Sequence, residues 1–178
     1  MPDAPEPVTD ATGKLSGRPD LSLDEVGIHG LWSIQSSKTL KLESLATTVF
    51  NQDAKMGTML KANELLLIQL APGMAYLFSD QFRFPYEGQN FELIATDISH
   101  GFCQLLLSGD DSLEFLNAYT TVDLEDEAII TARCVRTRLG QYALTLWWER
   151  PTEIHILVDR SYARSFCTYL HALSTRWF

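Results

Sequence analysis

The chain has 178 residues, of which 46% are hydrophobic, and it carries a formal net charge of −9. This length suits one domain, or one domain with an arm. The acidic balance argues against nucleic acid as a partner, because phosphate binding needs clustered Lys and Arg. It equally disfavours an anionic membrane surface. No apolar run approaches the length of a membrane span, so we expect no membrane partner.

The cysteines and the N-terminus indicate where the protein works. Cys103, Cys134 and Cys167 are odd in number and far apart, and each lies in a hydrophobic pattern. This usage predicts buried reduced thiols in a cytoplasmic protein. The N-terminus lacks the basic start and apolar stretch of a secretory signal.

The first residues differ in composition from the rest of the chain. Residues 1–22 contain four of the seven prolines, together with Asp, Ser, Thr and Gly. This composition predicts a flexible or extended N-terminal arm. We therefore expect an arm over residues 1–22 and a single domain over residues 23–178.

Short apolar runs predict strands in the first half of this domain. Strands are expected at residues 31–34, 63–70, 74–78 and 91–96, the second and third joined by the turn Ala71-Pro72-Gly73. One stretch fits a strand or a helix equally well, because its apolar residues allow both spacings: Leu40, Leu42, Leu45 and Val49.

The second half predicts strands enclosed by two helices. Residues 102–107, 129–135, 142–148 and 153–158 are the strand candidates. Residues 108–111 break the first strand and supply an acidic N-cap for a short helix, whose buried face holds Leu113, Leu116 and Ala118.

The last helix has a predicted cap at Asp159 or Ser161. Its apolar face recurs at helical spacing and holds Tyr162, Phe166, Tyr169, Leu170 and Leu173. The order of elements predicts an α+β fold, with mostly antiparallel strands and a few packed helices.

No motif for catalysis or cofactor binding is present. The sequence has no Gly-rich dinucleotide fingerprint, no phosphate loop and no nucleophile elbow. Cys167 and His171 lie four residues apart on the last predicted helix, but two ligands fall short of the four that structural zinc requires. Helix packing with a solvent-edge His is the favoured interpretation of this pair.

Two further polar features have a simpler interpretation than a site. His100 precedes a strand, where a turn residue is favoured over a general base because no nucleophile or carboxylate partner can be assigned. The acidic residues Asp123, Glu125, Asp126 and Glu127 lack the Gly and the ligand spacing of a calcium loop, so a solvated loop is favoured.

Two adjacent tryptophans mark a possible contact surface. Trp147 and Trp148 end a predicted strand, on which neighbouring side chains face opposite sides. One Trp can therefore lie in the core while the other is covered by a partner, and partner contact and plain packing are equally supported.

Residues 97–178 resemble the gamma subunits of heterotetrameric sarcosine oxidases. The matching segments are DISHGFCQLLLSGDDSLEFLNAYTTVDL, ARCVRTRLGQYALTLWW and LVDRSYARSFCTYLHAL. Residues 64–78, ELLLIQLAPGMAYLF, look similar more loosely. Arg136 departs from the pattern, since the family usually has Gln before its T-R-L stretch.

That family is in turn similar to the opening module of the folate-dependent glycine-cleavage aminomethyltransferase. The shared order is D-x-S-H, strand, S-G-D-D and helix. In that enzyme a catalytic Asp follows a Gly-containing turn, and the corresponding residues 138–148 contain no carboxylate. The resemblance therefore implies a fold like this folate-binding module, with no catalytic, cofactor-binding or metal residue in this chain.

The resemblance also implies partners. The resemblance implies that the chain is a non-catalytic assembly subunit of a flavin-dependent enzyme that oxidatively demethylates an N-methyl amine. It also implies that flavins, NAD, tetrahydrofolate and zinc are bound by other subunits. The isolated chain is expected to be inactive. The predicted contact residues are Arg138, Trp147, Trp148, Arg160 and Tyr162, with surface salt bridges as the alternative for each Arg. A stand-alone folate-binding or one-carbon transfer protein, or a scaffold protein that reuses the fold, is the alternative function.

Overall fold

The computed structural model describes residues 8–36, 39–53, 57–81, 83–86 and 93–176. Within these residues the strands are β1 (Gly13–Leu15), β2 (Arg18–Val26), β3 (Gly30–Gln35), β4 (Met59–Ala62), β5 (Leu65–Ala71), β6 (Met74–Ser79), β7 (Ile94–Asp97), β8 (Phe102–Ser108), β9 (Cys134–Leu139), β10 (Tyr142–Arg150) and β11 (Glu153–Asp159). The helices are α1 (Thr39–Phe50), α2 (Ser112–Asn117), α3 (Glu127–Ala132) and α4 (Ala163–Ser174). Short 3-10 helices cover Thr9–Ala11, Ser99–Gly101 and Arg160–Tyr162.

The chain divides into two compact units. The first unit comprises Met1–Gly27, His100–Thr131 and Val135–Phe178, and the second comprises Ile28–Ser99 and Ala132–Cys134. A six-stranded sheet has the order β1-β2-β8-β11-β10-β9, and a five-stranded sheet has the order β4-β5-β6-β3-β7, counted over the described residues. The fold is α+β with antiparallel strand pairing, as the sequence predicts.

The core of the first unit lies between one side of its sheet and the helices. Alternation along the strands turns Leu105, Ile156 and Leu146 to the same side, and the register pairs them across β8, β11 and β10. They pack in one cluster with Phe166 and Leu170 of α4, all of them fully buried. Burying each such side chain contributes roughly 1.5–3 kcal/mol.

The core of the second unit forms between its sheet and α1. Trp32, Leu67 and Leu77 of the sheet are buried in a cluster with Leu45 and Phe50 of the helix. The apolar stretch that fits a strand or a helix equally well is therefore a helix, because its i, i+3 spacing turns Leu42, Leu45 and Ala46 toward one sheet face.

Most strand predictions are confirmed. The predicted strands at residues 31–34, 63–70 and 74–78 correspond to β3, β5 and β6. In the second half, β8, β10 and β11 correspond to the predicted strands at 102–107, 142–148 and 153–158. The predicted strand at residues 91–96 overlaps β7 at residues 94–96; residue 93 precedes the strand, and residues 91 and 92 lie outside the described part.

The strand predicted at residues 129–135 is wrong. Residues 127–132 form α3, and the strand β9 begins only at Cys134. Arg133 separates the two with a φ of 57°, a left-handed conformation that ends the helix. The apolar, β-branched letters IITA favoured a strand, whereas Glu127 in the first turn of a short helix was the competing signal.

The predicted helix caps are confirmed in part. Asp111 is the N-cap of α2, as predicted from residues 108–111, but it forms no side-chain cap hydrogen bond. The cap predicted for the last helix is wrong: Asp159 is the N-cap of the preceding 3-10 helix, and Tyr162 is the N-cap of α4. The Asp111 carboxylate instead binds Arg18. The buried face of α2 includes Leu116 and the half-buried Leu113, while Ala118 is exposed and follows the helix.

The N-terminal arm must be corrected over the residues that the structure describes. Residues 8–22 are folded into the first unit: β1 and β2 pair with each other, and β2 pairs with β8. Leu15, Leu21 and Leu23 are buried in the core of the first unit. Residues 1–7 lie outside the described part, and the units do not divide at residue 22.

Within the described part, none of the helices is both long enough and apolar enough to cross a bilayer.

Candidate functional site

The two adjacent tryptophans are both buried within the chain. Trp148 lies in the core cluster of the first unit, and Trp147 lies on the opposite side of β10; each is only 3% exposed. The prediction that they contact another subunit stays untested, but it loses its basis, since neither indole is exposed. Plain packing explains both residues.

The other three predicted contact residues do not form one surface. Arg138 lies on β9 and is exposed, whereas the residues on either side of it in the strand, Thr137 and Leu139, are buried. Tyr162 is 55% exposed and stands edge-on to Tyr142 at a ring distance of 6.2 Å. Because Tyr142 and Leu139 face the core cluster and Arg138 alternates to the other side, Arg138 and Tyr162 lie on opposite sides of the sheet.

Arg160 forms a partly buried ion pair, which is the alternative that the sequence left open. Its Nη1 donates to Glu25 Oε1 at 2.6 Å, and the two side chains are 22% and 13% exposed. The same carboxylate accepts a hydrogen bond from the Val8 backbone N–H and one from the Cys103 thiol. Arg160 therefore ties the 3-10 helix before α4 to β2 and to residue 8.

These contacts set the pKa of Glu25. Burial raises this pKa, but the hydrogen bond from Val8 and the hydrogen bond and charge of Arg160 outweigh it, so the pKa lies below its ordinary value. Glu25 is therefore ionised at neutral pH. Sequence reasoning missed this cluster, because residue 8 fell within the predicted arm. The one available signal was a Glu two residues after the alternating LSL of β2.

A second polar cluster joins the β1–β2 turn to the end of α4. The Ser16 backbone N–H donates to His171 Nδ1 at 3.2 Å, and Ser16 Oγ lies 3.1 Å from the same nitrogen. The next N–H, of Gly17, donates to Ser174 Oγ at 3.1 Å. His171 Nδ1 therefore accepts a hydrogen bond from the backbone, and this bond holds the β1–β2 turn against α4.

A third polar cluster lies on the side of the first unit's sheet that faces away from its core cluster. The rings of Trp147 and His155 stack at 5.1 Å with an angle of 10° between their planes. Gln104 Nε2 lies 3.2 Å from His155 Nδ1. Trp147 and His155 are register partners on β10 and β11, so the stack is a cross-strand pair that stabilises this sheet.

The cysteines are buried and unpaired, as predicted. Burial raises the pKa of Cys103, Cys134 and Cys167 each to about 12. A thiol with such a pKa is protonated at neutral pH and is a poor nucleophile and metal ligand.

The described residues contain no cluster of three or more metal-ligand side chains. His171 Nδ1 is turned to Ser16, so the Cys167 and His171 pair is explained by packing. The acidic residues 123–127 lie in an exposed loop and at the start of α3, where Asp123 and Asp126 accept backbone N–H groups. The solvated loop is confirmed. His100 is exposed in the short 3-10 helix before β8, in agreement with a turn residue.

Comparison with known proteins places the fold. No protein-family model matches the sequence, and none of the curated proteins matches it. Among solved structures, heterotetrameric sarcosine oxidase from Corynebacterium sp. U-96, in complex with pyrrole 2-carboxylate, matches with a TM-score of 0.73 at 17% identity; the match covers 94% of this chain and 89% of that chain.

A second match is the glycine cleavage system aminomethyltransferase T from Bartonella henselae, with a TM-score of 0.62 at 16% identity. This match covers 97% of the present chain but 53% of the aminomethyltransferase, so the chain spans about half the length of that enzyme. The two likenesses establish an aminomethyltransferase-like fold, as the sequence resemblance implied.

Proposed function

We propose that this chain is a non-catalytic assembly subunit of a multi-subunit, flavin-dependent oxidoreductase of the sarcosine oxidase type. The complex oxidatively demethylates an N-methyl amine and passes the one-carbon unit to tetrahydrofolate in the cytoplasm. Flavins, NAD, tetrahydrofolate and zinc belong to the other subunits of the complex.

One observation carries this proposal: the two structural matches cover very different shares of their targets. The chain matched in the heterotetrameric oxidase has a similar length, because 94% of this chain aligns with 89% of that one. The aminomethyltransferase is covered over 53% of its length. A small subunit that is matched almost end to end supports a role within a heteromeric complex.

The polar clusters of the first unit agree with a structural role. Glu25 is occupied by Arg160 and by the Val8 N–H, and His171 Nδ1 is occupied by the Ser16 N–H. A general base needs an acceptor that faces a reacting group. In both clusters the acceptor faces the chain's own backbone or side chains, so these residues stabilise the unit.

The proposal is tested by purifying the tagged chain from its native cells under low salt and recording an absorbance spectrum. We expect a yellow complex with flavin absorbance, which sarcosine or a related N-methyl amine bleaches under anaerobic conditions. The chain expressed alone serves as the control and should be colourless and inactive with the same amines. Recovery of a lone, colourless chain from native cells would contradict the proposal.

The alternative functions are separated by two further readouts. Titration of the isolated chain with tetrahydrofolate in a calorimeter should give no heat of binding if the chain is an assembly subunit. Saturable heat together with a lone chain would instead support a stand-alone folate-binding protein. Recovery with a partner that carries no flavin would support a scaffold protein that reuses the fold.

A further inference from the structure

Two arginines stand side by side on the exposed side of β9. Arg136 and Arg138 are exposed, while Thr137 and Leu139 are buried. Residues two apart on a strand project to the same side and lie about 7 Å from each other. β9 is an edge strand of its sheet, so this pair borders solvent.

These guanidinium groups differ from four other arginines described in the first unit. Arg18, Arg150, Arg160 and Arg164 each form an ion pair with a carboxylate of the chain. Within the described residues, Arg136, Arg138 and Arg176 have no such partner, and only Arg136 and Arg138 lie together on one strand. Two unpaired guanidinium groups are unexpected in a chain with a net charge of −9, where carboxylates outnumber basic groups.

The acidic loop beside β9 forms no ion pair with them within the described residues. The Thr121 N–H donates to the Arg138 carbonyl at 3.2 Å, so the chain that leads into the acidic residues 123–127 runs against β9. Asp123 and Asp126 nevertheless accept backbone N–H groups of their own loop. The result is a small basic strip beside an acidic loop.

This arrangement selects among anions. A nucleic acid would extend its phosphates beyond two arginines and meet the acidic loop, where like charges repel. A short acidic segment of a protein needs only two carboxylates at the spacing of alternate strand residues, and Arg binds carboxylate with two parallel hydrogen bonds. Arginine is also enriched where proteins contact each other.

We propose that the exposed side of β9 binds a short acidic segment of a partner protein, with Arg136 and Arg138 each binding one carboxylate. The proposal deepens the proposed function, on which it rests for the identity of the partner as another subunit of the complex. It specifies that the contact is formed between arginine and carboxylate groups, and it includes Arg136, which was not among the predicted contact residues.

Charged side chains on an edge strand have another known role, because they discourage strands of other molecules from pairing there. The two roles give different results on charge reversal. If the arginines only protect the edge, their charge reversal changes self-association and leaves partner binding unchanged. If they bind the partner, their charge reversal weakens partner binding.

The first test uses the flavin-bearing complex. The double variant Arg136→Glu, Arg138→Glu should recover roughly tenfold less flavin subunit than the unmodified chain, because like charges then face each other across the contact. Arg136→Lys, Arg138→Lys should recover an intermediate amount. Arg150→Glu is the matched control: its side chain is 68% exposed at the end of β10, and its recovery should be unchanged. Circular dichroism must show that every variant is folded.

The outcomes separate this proposal from the proposed function. If the unmodified chain recovers the complex and the folded double-Glu variant recovers it equally, the docking proposal is overturned and the assembly function stands. Greater self-association of that variant with unchanged recovery assigns the arginines to edge protection and also overturns the proposal.

If the unmodified chain recovers no complex, the assembly function fails and the surface is tested directly. Hexaglutamate is titrated into the ¹⁵N-labelled chain at low salt, with hexalysine and a single-stranded oligonucleotide as comparisons. Amide shifts centred on β9 with hexaglutamate alone support the docking surface. Absent shifts, shifts elsewhere, or tighter binding of the oligonucleotide contradict it.

Discussion

The two units of this protein are assembled from the chain in different ways. The second unit is built almost entirely from one stretch, Ile28–Ser99, in which β4, β5 and β6 pair in sequence order. The first unit combines both ends of the chain: Glu25 pairs with Arg160, 135 residues away, and Gly17 binds Ser174, 157 residues away. Because β2 pairs with β8 and places Leu21 and Leu23 in the core cluster, we expect the first unit to depend on its N-terminal strands for stability.

Removal of the N-terminal strands should have the largest effect. Deletion of residues 1–26 removes β1 and β2 and uncovers the edge of β8, together with the buried pockets of Leu15, Leu21 and Leu23. We expect loss of cooperative folding of the first unit, measured by circular dichroism and urea unfolding. Deletion of residues 1–7 keeps Val8 and both strands, so it is the control and should retain a cooperative transition. Equal stability of the two truncations would contradict the account of residues 8–26.

A core substitution in each unit should destabilise that unit and leave the other folded. Phe166 is fully buried against the sheet of the first unit, and Leu67 is fully buried in the second. Phe166→Ala should lower the free energy of unfolding by about 3–5 kcal/mol, and Leu67→Ala by about 2–5 kcal/mol. Hydrogen exchange should then show lost protection in β10 and β11 for Phe166→Ala, and in β5 and β6 for Leu67→Ala. The reverse pattern would show that the two cores are assigned wrongly.

The β1–β2 turn approaches α4 so closely that only glycine fits at residue 17. A Cβ on Gly17 would lie 2.2 Å from the Ser174 carbonyl oxygen. Gly17→Ala should therefore displace the turn and lower the free energy of unfolding by about 1–3 kcal/mol. Gly101→Ala is the control, because a Cβ there meets no atom within 4 Å. Equal thermal midpoints for the two variants would argue against a close contact between the turn and α4.

The contribution of Glu25 should depend on pH in a defined direction. Because the pKa of Glu25 is lowered in the folded chain, its ion pair stabilises the fold above the carboxyl's ordinary pKa, and the stabilisation is lost as the pH falls through the lowered value. Glu25→Gln should cost about 1–2 kcal/mol at pH 7 and progressively less below about pH 4. Urea unfolding at several pH values, with the exposed Glu114→Gln as a control, measures this difference. A cost that is independent of pH would exclude the carboxylate as its source.

The three cysteine thiols should be almost unreactive in the folded protein, so this effect is expected to be small. With pKa values raised to about 12 by burial, Cys103, Cys134 and Cys167 should react with a thiol reagent only slowly at pH 7.5. All three should react at once in denaturant. Rapid modification of the native chain would mean that a core opens, and peptide mapping would show which unit it belongs to.

Much of the fold was predictable because its strands carry local signals. The strands β8, β10 and β11 are apolar runs bounded by turn residues, and the helical spacing of Phe166, Leu170 and Leu173 agrees with their burial on α4. The ambiguity over α1 arose because leucines two, three and five residues apart fit both periods. Packing against the sheet decided in favour of the helix, and local spacing does not contain that information.

The N-terminal strands were missed because composition outweighed pattern. Pro19 and several acidic residues made residues 1–22 resemble an arm, while the alternation of Leu21 and Leu23 fell across the predicted boundary. These leucines become core only because β2 pairs with β8, more than 80 residues away along the chain. Such long-range pairing is not encoded in a local window.

The predicted contact residues illustrate the same limit. Alternation required that Trp147 and Trp148 face opposite sides of β10, and they do, but it did not indicate that both sides are buried. The identity of Arg160 did not reveal that its partner is Glu25. Only Arg138 and Tyr162 remain exposed, which directs attention to the β9 edge and to the start of α4.

Native mass spectrometry of the tagged chain, purified from its own cells, determines whether the chain is a subunit of a flavin-bearing complex. We expect a mass that contains this chain together with flavin-bearing subunits, and dissociation should release the chain without a bound cofactor. A mass equal to the isolated chain, or to copies of this chain alone, would contradict an assembly role.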